Sequence, residues 1–472
     1  MNRGYTLGRS VYPVKIMNER NGPTEYRVID ENPTVSFGEA LRFWLKLGFI
    51  SFGGPAGQIA IMHQELVERR RWISERRYLH ALNYCMLLPG PEALQLATYI
   101  GWLLHGLKGG MAAGLLFILP SLAILILLSW IYMAFGDLPA VAGVLYGVKP
   151  AVVAIVVFAA YRIGSRSLKN AVLWSLAVSA FLASSVFAVP FPAIVLAAAL
   201  LGALGGRFAP RFFQTAEGHS DSDKSFGTAI IDDRTPTPDH AKLSWPRLIA
   251  LTVAGLALWG GILALFARHQ GWQGDAVHLG WFFTKTALLT FGGAYSVLPY
   301  VYQGAVEHYH WLTAPQMIDG LALGETTPGP LIMVVTFVGF VAGWSQDLIA
   351  GAPVLAGAAG ATIATYFTFL PSFLFVLLGG PLAEATHGDL KFTAPLTGIT
   401  AAVVGVILNL AVFFAYRLFW PNGLNGSWDW VSMGIALGSA VALLRFRMGV
   451  IPLIGICASA GLAGRLLDLV PA

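Results

Sequence analysis

Apolar runs long enough to cross a bilayer recur along almost the whole chain, for example at residues 110–133, 141–161, 171–189 and 248–267. A bilayer core takes about 20 consecutive apolar residues as a helix, so each run predicts a membrane-spanning segment. Polar sequence is confined to a few places. Residues 1–35 form a polar tail of mixed charge that does not read as a cleavable signal peptide. Residues 207–246, balanced in charge and carrying Thr235-Pro-Thr-Pro238, read as a solvated, mobile linker.

The runs are interrupted at matched places. Phe52-Gly53-Gly54 and Phe291-Gly292-Gly293 lie 239 residues apart (291 − 52), and the same offset relates Lys46 to Lys285, Trp72 to Trp311 and Pro89-Gly90-Pro91 to Pro328-Gly329-Pro330. After a net insertion of 12 residues the register resumes: Pro120-Ser121 matches Pro371-Ser372, and Gly147 matches Gly398. The chain thus carries two copies of one unit. The expected order is a cytoplasmic tail at 1–35, a first unit with two trailing helices at 36–206, the linker at 207–246, a connecting span at 247–276, and a second unit with two trailing helices at 277–472. Matched Gly/Pro breaks in two apolar halves point to a transporter built from internal repeats, with its site at the broken helices.

Composition and charge sharpen this. The chain is 56% hydrophobic and 12% charged, against about 25% charged in a soluble domain. Five arginines crowd residues 69–77, whereas the matching loop 308–316 has no Lys or Arg. Lys and Arg favour the cytoplasmic side, so the copies should sit upside down relative to each other. The expected fold is an all-α polytopic membrane protein of two inverted repeats and about 13 apolar segments, its N-terminus cytoplasmic. The breaks read as re-entrant helix pairs, with kinked spans as the alternative. The net charge of +5 lies largely in loops and speaks for topology, not for nucleic acid. Cys85 and Cys457, both in apolar runs, read as packing residues.

Candidate chemistry gathers at the breaks. Pro89, Gly90, Pro91, Pro328, Gly329 and Pro330 cannot continue a helix, and Gly53, Gly54, Gly292 and Gly293 let backbone approach a ligand. Helix N-termini beyond such breaks suit an oxyanion. Tight helix packing is the plain alternative. Lys46, Lys149 and Lys285 are cations within apolar sequence and candidate substrate ligands, although Lys46 and Lys285 could equally snorkel to the interface. Glu92 and Glu325 flank the two Pro-Gly-Pro motifs as candidate proton carriers or capping charges. Asn83, Gln95, Thr326, Thr327 and Thr336 could hydrogen-bond the substrate or join helices. No phosphate-binding loop, nucleophile elbow or metal spacing is present, so neither an enzyme, a cofactor nor a metal is expected.

At these residues the sequence resembles the chromate ion transporter family in its long, two-domain form. The carrying segments are Phe52-Gly-Gly-Pro-Ala56, Val67-Glu-Arg-Arg-Arg-Trp-Ile-Ser74, Leu88-Pro-Gly-Pro-Glu92, Gln95-Leu-Ala-Thr-Tyr-Ile-Gly-Trp102 and Phe117-Ile-Leu-Pro-Ser121 in the first half. The second half adds Leu289-Thr-Phe-Gly-Gly293, Asp319-Gly-Leu-Ala-Leu-Gly324, Thr327-Pro-Gly-Pro330 and Phe369-Leu-Pro-Ser372. The resemblance implies export of chromate across the bacterial inner membrane, driven by an ion gradient, with sulfate as the related oxyanion. His308-Tyr-His310 departs from the family's basic loop. An importer or exchanger of sulfate, an anion channel and a non-transporting scaffold are the other readings. Expected partners are chromate or sulfate, the lipid bilayer and a second copy of the chain.

Overall fold

A computed structural model describes residues 35–52, 54–213, 226–233, 235–385, 393–421, 423 and 427–467. The first unit holds α1 (Phe37–Ile50), α2 (Gly54–His63), α3 (Glu75–Leu87), α4 (Glu92–Phe135) and α5 (Pro139–Ser167). Then follow α6 (Ala171–Ser185), α7 (Phe191–Phe208), the short α8 (Pro210–Phe213) and α9 (Trp245–Gln270). The second unit holds α10 (Asp275–Leu288), α11 (Leu298–Tyr302), α12 (Ala314–Thr326), α13 (Val334–Ser345), α14 (Pro353–Ala385) and α15 (Thr393–Phe419). The chain ends in α16 (Trp430–Leu444) and α17 (Val450–Leu466). Among the described residues the only β pairing is one bridge between Ile73 and Ile231. Among the described residues six helices, α4, α5, α7, α9, α14 and α15, are long and apolar enough to cross a membrane. The all-α polytopic expectation holds.

The repeat extends to backbone detail. Ser74 and Thr313, 239 apart, each cap the next helix by accepting an amide hydrogen bond, from Arg77 and Gln316. Wide π-type turns occupy Gln64–Arg69 and Gln303–His308, the same stretch in both units. Arg71 and His310 both take φ 53°, and the bonds Trp72 N–H to Leu66 O and Trp311 N–H to Ala305 O both measure 2.8 Å. Whatever the basic loop of the first unit does, the second unit keeps its backbone without its charge.

The broken segments are hairpins. α1 has 14 residues and α3 has 13, about 20 Å of helix each against a hydrocarbon core of about 30 Å. The chain beyond each break returns along the helix before it. Phe43 of α1 meets Trp72 at 5.2 Å between rings, and Tyr84 of α3 meets Tyr99 at 5.7 Å. In the second unit Phe282 meets Trp311 at 5.4 Å, and Gly324 packs against Val334 across the Pro-Gly-Pro turn. Kinked continuous spans would separate these pairs, so the segments fold as helical hairpins, the shape that the re-entrant reading requires.

Helix α4 is itself two helices. His105 (φ −137°) and Gly106 (φ 63°) break it, and only glycine enters that second conformation without strain. Residues 92–104 then fold back on 107–135, with Gly101 so close to Gly109 and Ala113 that a Cβ would lie 2.6 Å from either. Small residues are what let helix backbones approach this closely in a membrane. The net insertion of 12 falls at the equivalent turn, between α13 and α14.

The trailing helices are exchanged between units. α6 and α7 follow the first unit but pack on α15, while α16 and α17 follow the second and pack on α5. Gly147 makes the α5–α17 contact against Cys457 and Gly461, and its counterpart Gly398 makes the α15–α7 contact against Ala198 and Gly202. Such reciprocity marks an approximate two-fold axis. Cys85 and Cys457 are buried and unpaired.

The linker departs from expectation where it is described. Ile230 and Ile231 bond to Arg71 and Trp72, Ser74 Oγ donates to Asp233 at 2.5 Å, and Arg77 donates to Thr235 O at 2.8 Å. His240 sits by the Gly106 turn with Nε2 2.8 Å from Trp102 O. Apolar anchors such as Ile231 and Ala241, both buried, fix a segment that composition alone reads as free.

Candidate functional site

The four hairpin tips meet. Gly90 N–H donates to Thr290 O at 2.7 Å, and Gly329 N–H donates to Ser51 O at 2.7 Å. Each Pro-Gly-Pro tip is therefore tied to the residue just before the Phe-Gly-Gly of the other unit. Proline removes the neighbouring donors, so the one amide left in each motif closes the junction. Gly54, Gly90, Gly292, Gly293 and Gly329 have φ of 76°, 127°, 72°, 102° and 100°, which only glycine takes cheaply. Gly53 lies outside the described residues.

Two serines seat the tips. Ser121 Oγ donates to Pro328 O, and a Cβ at Gly329 would strike Ser121 Oγ. At the related place a Cβ at Gly90 would strike Ser372 Oγ. Pro120-Ser121 and Pro371-Ser372 are visible in sequence as repeat landmarks, but nothing local says that each serves the opposite unit. Gln58 Nε2 bridges Gly329 O at 2.5 Å and Ser51 O at 3.3 Å, and Gln95 Nε2 holds Pro89 O at 2.8 Å. Ser51 Oγ, Gln58 Oε1, Gln95 Oε1 and Ser372 Oγ are buried without protein partners among the described residues. The junction is thus rich in neutral polar atoms.

Its two corners differ. A Cβ on Gly54 would meet Leu331 Cδ1 at 3.0 Å, so that corner is filled. The related residues are Gly293 and Glu92, and a Cβ on Gly293 would meet nothing within 4 Å. Glu92 opens α4 directly after Pro91, half-buried, with no hydrogen bond or ion pair to its carboxylate among the described residues. Glu325 lies in a small cavity with Tyr295, Leu298, Leu321 and Leu331, and Tyr295 Oη donates to its Oε1. Tyr295 carries no sequence signal, because the first unit has Ala56 at that place.

The lysines divide. Lys149 of α5 reaches the second unit, with Nζ 3.4 Å from Asp319 Oδ2. Asp319 is 2% exposed and also accepts from Tyr132 Oη at 3.0 Å. Sequence reasoning passes over Asp319, although an acid in an apolar half-helix is itself a signal. Lys46 lies on the exposed face of α1 with Arg42, Leu45 and Phe49, away from the face carrying Phe43, Trp44 and Leu47. Lys285 is half-buried near the end of α10. Thr336 pairs with Thr365 at 2.8 Å, and Thr326 and Thr327 bond back to Leu323 O and Gly324 O, so these three join helices and cap turns.

The profile of the family described as "Chromate transporter" matches residues 38–203 and again 277–462, one match in each copy of the unit. The chain belongs to the chromate transporter family. A chromate transport protein of Pseudomonas aeruginosa is 32% identical over 441 residues, covering 92% of each chain. A chromate transport protein of Cupriavidus metallidurans is 30% identical over 391 residues, covering 82% of this chain and 84% of its own. No solved structure matches. This member of the family is an all-helical, multi-pass membrane protein whose relatives are named for transport.

Proposed function

We propose that this protein is a secondary transporter that exports chromate from the bacterial cytoplasm across the inner membrane, using an ion gradient. The observation that carries the reading is the reciprocal pair of bonds between Gly90 and Thr290 and between Gly329 and Ser51, which gathers four broken helices at one buried junction. The substrate seat in this reading is the corner at Gly292 and Gly293, where a Cβ on Gly293 would meet nothing within 4 Å and one on Gly292 only Thr400, with the helix start at Glu92 assigned to the same corner. Gly90 and Gly329 spend their amides on the junction itself, so their part is to hold the seat. Lys149, 26% exposed at its side chain, supplies a cation to a tetrahedral dianion, and Glu92 and Glu325 carry the coupled proton. The basic loop at residues 69–77 lies on the cytoplasmic side with the tail and linker. The segment 107–135 with α5, α6, α7 and α9 makes five crossings between the two sets of hairpins. An odd number inverts the second unit.

Sulfate shares charge and shape with chromate and is the second substrate to test. Uptake of labelled chromate and of sulfate into inverted vesicles, with and without a proton gradient, tests the reading. Gradient-stimulated chromate uptake is expected. Uptake without trans-stimulation in counterflow would mean a channel instead.

A further inference from the structure

The two sets of hairpins are equivalent in sequence but not in surroundings. On the second unit, α12 packs against α5, α15 and α17, and the segment from Ala294 to Tyr302 packs against α7 and α15. On the first unit, α2 and α3 find their main neighbours in α4 and α14. Exposure follows the packing. Asn83 and Met86 of α3 are exposed, Met86 at 42%, while their counterparts Ala322 and Glu325 are buried and half-buried. Ala56 is exposed and its counterpart Tyr295 half-buried. Two like units of which only one is covered define a second arrangement, in which the other is covered.

Among the described residues one ion pair crosses the covered interface, Lys149 of α5 to Asp319 of α12. Asp319 Oδ1 is buried and has no partner among the described residues, so the carboxylate depends on Lys149 and Tyr132. Removing one partner of a buried pair leaves an uncompensated charge and costs several kcal/mol in general. The two-fold puts Thr400 in the place of Lys149 and His80 in the place of Asp319, so the opposite arrangement has no equivalent pair.

We propose that Lys149 and Asp319 form the latch that keeps the group α5–α7 and α15–α17 over the second unit's hairpins, leaving the first unit's hairpins open. Released, the group packs on α2 and α3 with α15 against α3, and the junction opens to the other face. Lys149 keeps part of its side chain exposed, so an anion arriving at the junction competes with Asp319 for it and loosens the latch. That last step rests on the transport reading. The latch itself does not.

The test uses the full chain in proteoliposomes, carrying Met86→Cys or Ala322→Cys and probed with a membrane-impermeant maleimide from each side. The native cysteines are buried. Met86→Cys should label faster than Ala322→Cys. Adding Lys149→Met or Asp319→Asn should slow the first and speed the second, about tenfold or more for loss of a buried pair. Lys149→Arg should leave the order unchanged, and the exchanged pair Lys149→Asp with Asp319→Lys should restore it. Identical labelling in all variants overturns the latch. Where a single substitution fails to reach the membrane, the exchanged pair decides: the original order supports the proposal, a reversed order overturns it. Because the readout is accessibility, it decides the latch, though not its loosening by an anion, whether or not chromate is the substrate.

Discussion

The amide of Gly90 donates to the carbonyl of Thr290 at 2.7 Å, although the two residues lie 200 positions apart (290 − 90). Its twin joins Gly329 to Ser51. Two short motifs without catalytic chemistry therefore tie the two halves together, and this relationship organises the candidate site.

Gly90→Ala should disrupt the junction. The new methyl would strike Ser372 Oγ, and φ at this position is 127°. Strain of that kind costs about 1–3 kcal/mol. A lowered unfolding temperature in detergent, and weakened chromate transport, are expected. Adding Ser372→Gly should recover part of the loss, because it removes the collision with Ser372 but neither the contact with Gln95 Nε2 nor the strained φ. Unchanged stability of Gly90→Ala would mean that the tip is loose.

Glu92→Gln separates proton coupling from architecture. As a permanently neutral mimic it should preserve anion exchange while abolishing acceleration by a pH gradient. Counterflow and gradient-driven uptake, measured side by side, read the two properties. Binding lost together with transport would make Glu92 a structural residue.

Orientation is testable at two exposed counterparts, Arg76 and Pro315. Arg76→Cys and Pro315→Cys should react with impermeant reagent from opposite sides of the membrane. Reaction of both from one side would defeat the inverted arrangement.

Linker docking should weaken in acid. Burial holds the His240 pKa below its ordinary value, against the pull of the Trp102 carbonyl, so the docked segment favours the neutral ring. The undocked ring titrates near the ordinary value of about 6.5. Docking is therefore fully supported above about 6.5 and loses support as pH falls through that value to the lowered one. Protection of residues 226–242 from hydrogen exchange, taken relative to the intrinsic rate at each pH, should fall as pH drops below about 6.5 in the wild type. His240→Gln should exchange at a rate that no longer depends on the charge of the ring.

Much of the architecture is legible in the sequence because repeats and hydropathy are local signals. The offset between Trp72 and Trp311 finds the two units, and Pro91 and Pro330 mark where helices must stop. The arginines at 69–77 set an expected orientation, which the labelling at Arg76 and Pro315 tests. Lys149 stands out by charge alone in an apolar run. Asp319 stands out in the same way, as an acid in an apolar half-helix, but its partner depends on which helix faces it.

Sequence by itself determined the helices, the duplication and the places where the helices break. Hydrophobic length, proline's missing donor and glycine's freedom at positive φ act over a few residues and need no partner. Only the tertiary structure decided that Ser121 seats Pro328 of the other unit, that Tyr295 reaches Glu325, and that Lys149 is held by Asp319. Those pairings join residues from 30 to 207 positions apart. Sequence pattern carries no record of them, because they arise when the exchanged helices pack and bring small residues such as Gly147 against Gly461.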